Sequence, residues 1–196
     1  GVGKTSAVEG LAQQFSSAHA PDELRSIRIV QISVADLVSG TSYRGEMEQR
    51  LQQVIAEATA DPSLVLFLDE IHLVMKSGTV GNSAMDIANI LKPALARDDF
   101  RCIGATTIEE YERYIKEDAA FMRRFQVLQV SEPTIEVSTQ ICGSWARRIE
   151  QKMNVLLPEK TIKEAVRMTA QLIPTRRLPD KAIDLLENAA AYVKIS

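Results

Sequence analysis

The chain has 196 residues, room for one domain of ordinary size and a small appendage. Its 45% hydrophobic and 25% charged residues are a globular composition, and a net charge of −3 gives no general reason to expect a nucleic-acid partner. No apolar run approaches the roughly 18 residues of a membrane helix and no signal-peptide pattern occurs, so neither a membrane span nor secretion is expected.

The first five residues, Gly1-Val2-Gly3-Lys4-Thr5, match the end of the phosphate-loop pattern G-x-x-x-x-G-K-[ST]. Glycines let backbone N–H groups approach phosphates, Lys4 can pair β/γ charge, and the Thr5 hydroxyl can ligate Mg²⁺. The nucleotide-binding stretch is taken as Gly1, Val2, Gly3, Lys4, Thr5 and Ser6. The competing reading is a helix N-terminus after a glycine turn. No Met precedes the motif, so the chain reads as a fragment cut inside its phosphate loop. Val8, Leu11, Ala12 and Phe15 then recur at helical spacing up to about Ala18. Pro21-Asp22 breaks the pattern, residues 27–32 read as a strand, and a loop from Ser39 to Arg44 follows. A helix with Met47, Leu51, Val54, Ile55 and Ala58 on one face comes next and stops at Asp61-Pro62.

Leu64-Val65-Leu66-Phe67-Leu68 is a short, wholly apolar run, which predicts a strand buried on both faces of a parallel sheet. It ends in Asp69 and Glu70, where such a sheet delivers groups to a ligand. Asp69 is placed to hold Mg²⁺ and Glu70 to orient and polarise an attacking water. The bland alternative is a solvated acidic turn. Lys76 to Ser83 reads as a polar loop, residues 84–96 as a helix, Cys102 to Ala105 as a strand, Ile108 to Lys116 as a helix and Val127 to Val130 as a last strand. Alternation of strands and helices predicts an α/β fold with crossover connections.

After Glu132-Pro133 the pattern turns wholly helical. Val137, Ile141, Trp145 and Ile149 recur every four residues, and Thr161-x-x-Glu164 is a capping-box pattern for a second helix. Pro179 opens a third, with Ile183, Leu186, Ala190 and Val193 on its face. The expected organisation is an α/β domain over 1–132 and a small helical domain over 133–196.

Other residues carry two readings each. A Thr106-Thr107 hydroxyl could sense a γ-phosphate or the water, yet Thr107-Ile108-Glu109-Glu110 is also a capping box, and both roles can hold. Arg123-Arg124 is a solvated pair, or in an oligomeric ATPase a pair of arginine fingers entering a neighbour's site. Tyr43, followed by Arg44 and Gly45 at a loop tip, is a grip for an extended partner or a ring packed on the sheet. His19 and His72 lack metal-ligand spacing and receive no chemical role. Cys102 and Cys142 lie in apolar segments and read as reduced packing residues.

The pieces GVGKT, SYRGEMEQRL, LFLDEIH, LKPALAR, IGATTIEEYERYIKEDAAFMRRFQ and LPDKAIDLLENAA span nearly the whole chain. In this order they resemble the first ATPase module of the Clp/heat-shock disaggregase family of AAA+ proteins, most closely its ClpB-type members. The resemblance implies a parallel P-loop sheet with helices on both faces, its central strand upstream of Gly1, plus a helical lid. It implies Mg-ATP hydrolysis by a homo-hexameric ring that threads unfolded or aggregated polypeptide, with a co-chaperone as a candidate partner and a cytoplasmic, stromal or matrix location. By position Lys4 and Thr5 match Walker A, Asp69 and Glu70 Walker B, Thr107 the sensor threonine, Arg123 and Arg124 the arginine fingers, and Tyr43 the pore-loop aromatic. Pro179 and Asp180 fall where the lid approaches nucleotide. The Gly-Ala-Arg sensor usual in that region is absent here. The polypeptide alone is expected to fold poorly and to bind ATP weakly. The rival readings are a Clp unfoldase feeding a protease, a non-hydrolysing assembly module, and, more weakly, a DNA remodeller.

Overall fold

The computed structural model describes residues 2–34, 44–76 and 83–195. The chain divides into two compact units, Thr5–Val127 and Gly1–Lys4 with Leu128–Ser196, each treated by itself below.

The larger unit is a parallel sheet with crossover helices. Its elements are α1 (Lys4–Phe15), α2 (Asp22–Arg25), β1 (Arg28–Ser33), α3 (Arg44–Ala60), β2 (Leu64–Asp69), α4 (His72–Lys76), α5 (Ser83–Leu95) and β3 (Cys102–Gly104). They are followed by α6 (Ile108–Glu110), a π-helical turn (Tyr111–Ile115) and α7 (Ala119–Met122). The strand order is β1-β2-β3, with β2 central. Arg28 pairs with Leu64 through to Ser33 with Asp69, and Leu66 with Cys102 through to Leu68 with Gly104. Leu66, Phe67 and Leu68 are all buried although alternate residues of a strand point to opposite faces, so both faces of β2 are covered. Leu66 and Leu68 join one core cluster with Leu51, Ile55 and Ala58 of α3 and with Leu91 and Ala94 of α5. That is the α3 face expected from its spacing.

Three details differ from expectation. Residues 127–130 form no strand, and Val127 and Leu128 are 52% and 80% exposed. A strand needs a neighbour to take its backbone hydrogen bonds, and none pairs with this segment among the described residues. The helix expected over 108–116 is a single α turn that widens into the π turn, with the Lys116 N–H donating to the Tyr111 carbonyl at 2.9 Å. None of the residues of α1 is buried, so its apolar stripe is only half covered.

The smaller unit holds α8 (Ile135–Met153), α9 (Glu159–Leu172) and α10 (Asp180–Ile195). Thr134 caps α8, its hydroxyl accepting from the Val137 N–H at 3.3 Å, and Asn154 ends it in the left-handed region at φ 56°. The buried face of α8 is Ser138, Cys142, Ala146 and Ile149: Ile149 is as expected, and the other three lie one position on from Val137, Ile141 and Trp145. Val137 and Trp145 stay exposed because small side chains occupy the faces where the helices meet. Val193, expected on the buried face of α10, is 63% exposed. Thr161 is not a cap: α9 already begins at Glu159, after Pro158. A single carboxylate organises the start of this unit. Glu132 accepts from the Leu178 N–H at 2.7 Å and from Arg177 at 3.1 Å, with the Lys181 ammonium, 4% exposed, 3.9 Å away. Lys181 itself donates to the Ile173 carbonyl at 2.9 Å.

Two outcomes follow. An ideal Cβ on Gly104 would lie 2.6 Å from Cδ1 and 3.2 Å from Cγ2 of the buried Ile71. Gly104→Val is therefore expected to destabilise by about 1–3 kcal/mol, more than Gly104→Ala, read as lowered denaturation midpoints. The Leu178 N–H first, and then Arg177 and Lys181, outweigh desolvation and hold the Glu132 carboxyl below the usual glutamate range. Its stabilisation is present above the unfolded-state pKa and is lost as pH falls through the lower folded value. Glu132→Gln should accordingly lower the melting temperature at neutral pH and flatten the acid limb of a melting-temperature-against-pH curve.

Candidate nucleotide site at the carboxyl edge of the sheet

The parallel register sends the ends of β2 and β3 to one edge. Past the strands, the Ala105 N–H donates to the Leu68 carbonyl and the Ile71 N–H to the Ala105 carbonyl, both at 3.0 Å. Asp69-Glu70 and Thr106-Thr107 therefore leave the sheet side by side.

The Thr5 hydroxyl, in the first turn of α1, donates to Asp69 Oδ2 at 2.8 Å. The other Asp69 oxygen accepts from the Glu70 N–H at 3.0 Å. Residues 64 positions apart are thus joined at the point where the two motifs meet. Gly3 has φ +90°, and open space surrounds a Cβ built there. Backbone conformation, not crowding, asks for glycine at that position. Lys4 is the first residue of α1, and among the described residues its ammonium has no hydrogen-bond or ion-pair partner. Ser6 is exposed.

Glu70 is exposed with φ +54°, a left-handed conformation that a non-glycine residue adopts at a cost of about 1–3 kcal/mol. The neighbouring bonds over-determine it: the Ile71 N–H is held by Ala105, and the Glu70 carbonyl accepts from the Leu73 N–H at 2.8 Å. Asp69 is engaged at both oxygens, and the Glu70 carboxylate has no hydrogen-bond partner among the described residues.

Thr107 is the N-cap of α6, its hydroxyl accepting from the Glu110 N–H at 3.2 Å and donating to Glu110 Oε2 at 3.0 Å. The capping reading of Thr107 is therefore realised. Arg123 and Arg124 leave the end of α7 exposed. Arg124 donates to the Ala120 carbonyl, and the Arg123 guanidinium has no partner among the described residues. No hydrogen bond or ion pair among the described residues joins either arginine to Asp69, Glu70 or Thr107. The α7 turn is itself anchored: Asp118 accepts from the Phe121 N–H at 2.9 Å and pairs with Lys92 of α5 at 2.5 Å. Partial burial pushes the Asp118 carboxyl up, but Lys92 and the backbone donors outweigh it, and the net shift is downward.

Gly1 and Tyr43 lie outside the described residues, as does the side chain of Arg44; Arg44 and Gly45 open α3. In the smaller unit Pro179 is buried, and Asp180 bonds Arg176 at 2.7 Å. Cys102 and Cys142 are free thiols that burial pushes up to about 12 and about 11, which leaves them unreactive near neutral pH. His72, given no role from sequence, is 3% exposed and bonded at both ring nitrogens. The signal was a lone histidine among Ile71, Leu73 and Val74, two residues after a pair of carboxylates.

The donor set fits a magnesium nucleotide. Thr5 Oγ1 and Asp69 Oδ2 are hard oxygens 2.8 Å apart beside the N-terminus of an α-helix. No group of three or more His, Cys, Asp or Glu able to hold a metal alone occurs among the described residues. Magnesium bound through one or two protein oxygens plus phosphates asks for no such group.

Glu70→Gly is expected to be at least as stable as the parent, because glycine adopts φ +54° without strain. Glu70→Val should lose about 1–3 kcal/mol, read by denaturant unfolding. Equal losses in both variants would show that the carboxylate, not the backbone, sets the stability of this turn.

Comparison with known proteins agrees along the whole chain. The model of the AAA family, ATPases associated with various cellular activities, matches residues 1–132, and the AAA lid domain matches 134–196. Heat shock protein hsp98 of Neurospora crassa is 44% identical over 197 aligned residues, covering 100% of this chain and 21% of that protein. Chaperone protein ClpB of Aquifex aeolicus is 46% identical over 195, covering 100% of the chain and 19% of ClpB. A probable ATP-dependent Clp protease ATP-binding subunit of Chlamydia pneumoniae is 42% identical over 196, covering 100% and 23%. The solved S. cerevisiae Hsp104:casein complex in its extended conformation superposes with a TM-score of 0.85 at 36% identity, covering 99% of this chain and 33% of that one. The chain thus spans about a fifth of the length of these curated relatives. With a matching ATPase domain, a matching lid and chaperone relatives along its full length, the chain belongs to the AAA ATPase family, in its ClpB/Hsp104-like part.

Proposed function

We propose that this chain is the Mg-ATP-binding and hydrolysing module of a ClpB-type disaggregase, which threads polypeptide through the pore of a homo-hexamer. The observation that carries the nucleotide part is the Thr5–Asp69 hydrogen bond, which unites the phosphate-loop motif with the acidic end of β2. When bound, Mg-ATP supplies the γ-phosphoryl group and a cation that neutralises its charge. Lys4 and the backbone N–H groups of Gly1, Val2 and Gly3 hold the phosphates, and Thr5 and Asp69 hold the cation. Ser6 lies in the same turn of α1, and Pro179 and Asp180 offer contacts from the lid. Glu70, with its free carboxylate, orients and polarises the attacking water. Thr107 reports on the γ-phosphate, and Arg123 and Arg124 enter the site of the neighbouring subunit. Tyr43, followed by Arg44 and Gly45, grips the polypeptide.

Support for the chaperone part comes from relatives named heat shock protein and ClpB, and from a superposing Hsp104 bound to casein. A second reading, an unfoldase subunit feeding a protease, is favoured by the 42% identity to a Clp protease ATP-binding subunit. A non-hydrolysing assembly module is disfavoured by the presence of Glu70, Thr107 and both arginines. A cytoplasmic, stromal or matrix location is part of the same proposal.

The test is steady-state ATPase activity of the intact protein at ring-forming concentration, with and without casein, for the parent and Tyr43→Ala. Turnover stimulated several-fold by casein, lost in Tyr43→Ala but with basal turnover kept, is the expected result. Turnover indifferent to both would remove the threading claim.

A further inference from the structure

We infer that His72 is a positioning residue that acts on Thr107 through Glu110. The inference rests on the phosphate-sensing role proposed for Thr107. His72 opens α4 two residues after Glu70 and is 3% exposed. Its Nε2 lies 2.9 Å from Glu110 Oε1, and its Nδ1 lies 3.0 Å from Thr106 Oγ1. The second Glu110 oxygen accepts from the Thr107 hydroxyl at 3.0 Å. A carboxylate oxygen accepts, so Nε2 donates to Glu110, and Nδ1 shares the second bond with the Thr106 hydroxyl. The result is one continuous chain: Thr106 hydroxyl to His72, His72 to Glu110, and Thr107 to the far side of Glu110. The ring also stacks on Tyr114, with centroids 6.4 Å apart and planes 24° apart, which fixes its orientation.

Both hydroxyls that follow β3 are thereby tied to the residue that follows the β2 carboxylates. In this arrangement the proton of Thr107 points at Glu110. For that hydroxyl to donate to a phosphate oxygen it must leave the carboxylate, and the His72 N–H is what then keeps the carboxylate satisfied and in place. Without it, Glu110 swings toward water, the cap at Thr107 loosens, and the hydroxyl has no defined direction. Such a loss falls on the chemical step and not on nucleotide affinity, because Lys4 and the loop backbone still hold the phosphates.

The test uses the intact protein, four single variants and two double variants. His72→Phe keeps the stack but removes both hydrogen bonds; His72→Gln restores a donor toward Glu110. Loss of one charge-assisted bond predicts kcat down about tenfold in His72→Phe, with KM for ATP and nucleotide Kd within about twofold of the parent. His72→Gln should recover most of the turnover. Thr107→Ala should be slow by itself, and His72→Phe/Thr107→Ala no slower than Thr107→Ala. In nucleotide-free protein, His72→Phe with Glu110→Gln should melt no lower than the worse single variant. Should His72→Phe fail to fold, Glu110→Gln, at a 30% exposed side chain, takes its place in the kinetic comparison. Additive losses with Thr107→Ala, or a rise in KM that accounts for the defect, overturns the inference. Full turnover by Thr107→Ala alone overturns the sensing role, and the inference with it.

Discussion

Everything at this site depends on two backbone hydrogen bonds beyond the regular ladder, from the Ala105 N–H to the Leu68 carbonyl and from the Ile71 N–H to the Ala105 carbonyl. They continue the β2–β3 pairing past the last paired residues and clamp together two chain segments that then turn away. Their geometry explains three otherwise unrelated facts. Gly104 lies where a side chain would collide with Ile71. Glu70 takes a left-handed turn, because that turn swings the Ile71 N–H onto Ala105. His72, one residue further, is carried inward until only Thr106 and Glu110 can satisfy its ring. The strain at Glu70 is thus held by bonds on both sides and leaves its carboxylate exposed.

The carboxylates of this chain are sorted by what surrounds them. Asp69 spends both oxygens on Thr5 and on the Glu70 N–H, while Glu70 spends neither. Glu110 is divided between a histidine and a threonine, and Asp118 between a lysine and a helix cap. In the smaller unit Glu132 gathers an arginine, a backbone N–H and a buried lysine. Each of these paired carboxylates fixes a local turn, whereas Glu70 is exposed and has no side-chain partner among the described residues.

Legibility from sequence followed residue size and local bonding. The β2 strand, the stripe on α3 and the Thr107 cap follow from short-range rules, and each forms. On α8 the large apolar residues mark the buried face at Ile149, while beside Val137, Ile141 and Trp145 the smaller Ser138, Cys142 and Ala146 take the buried positions and let helices approach. Thr161-x-x-Glu164 is a cap in composition only, because the chain after Pro158 is already helical. The strand expected at Val127–Val130 finds no pairing neighbour among the described residues, which no local pattern can announce.

The amino-acid sequence by itself determined the phosphate-loop motif, the apolar strand ending in two carboxylates, the alternation that makes an α/β sheet, and the kinship along the whole chain. These are carried by residues close together in the chain, where spacing is itself the physical constraint. Only the tertiary structure decided that Thr5 meets Asp69, that Glu70 stands free in a left-handed turn, and that His72 links Thr106 to Glu110. Those contacts join residues up to 64 positions apart. They exist because the parallel register of β2 and β3 delivers both strand ends to one edge, and register belongs to the sheet rather than to any one stretch of sequence.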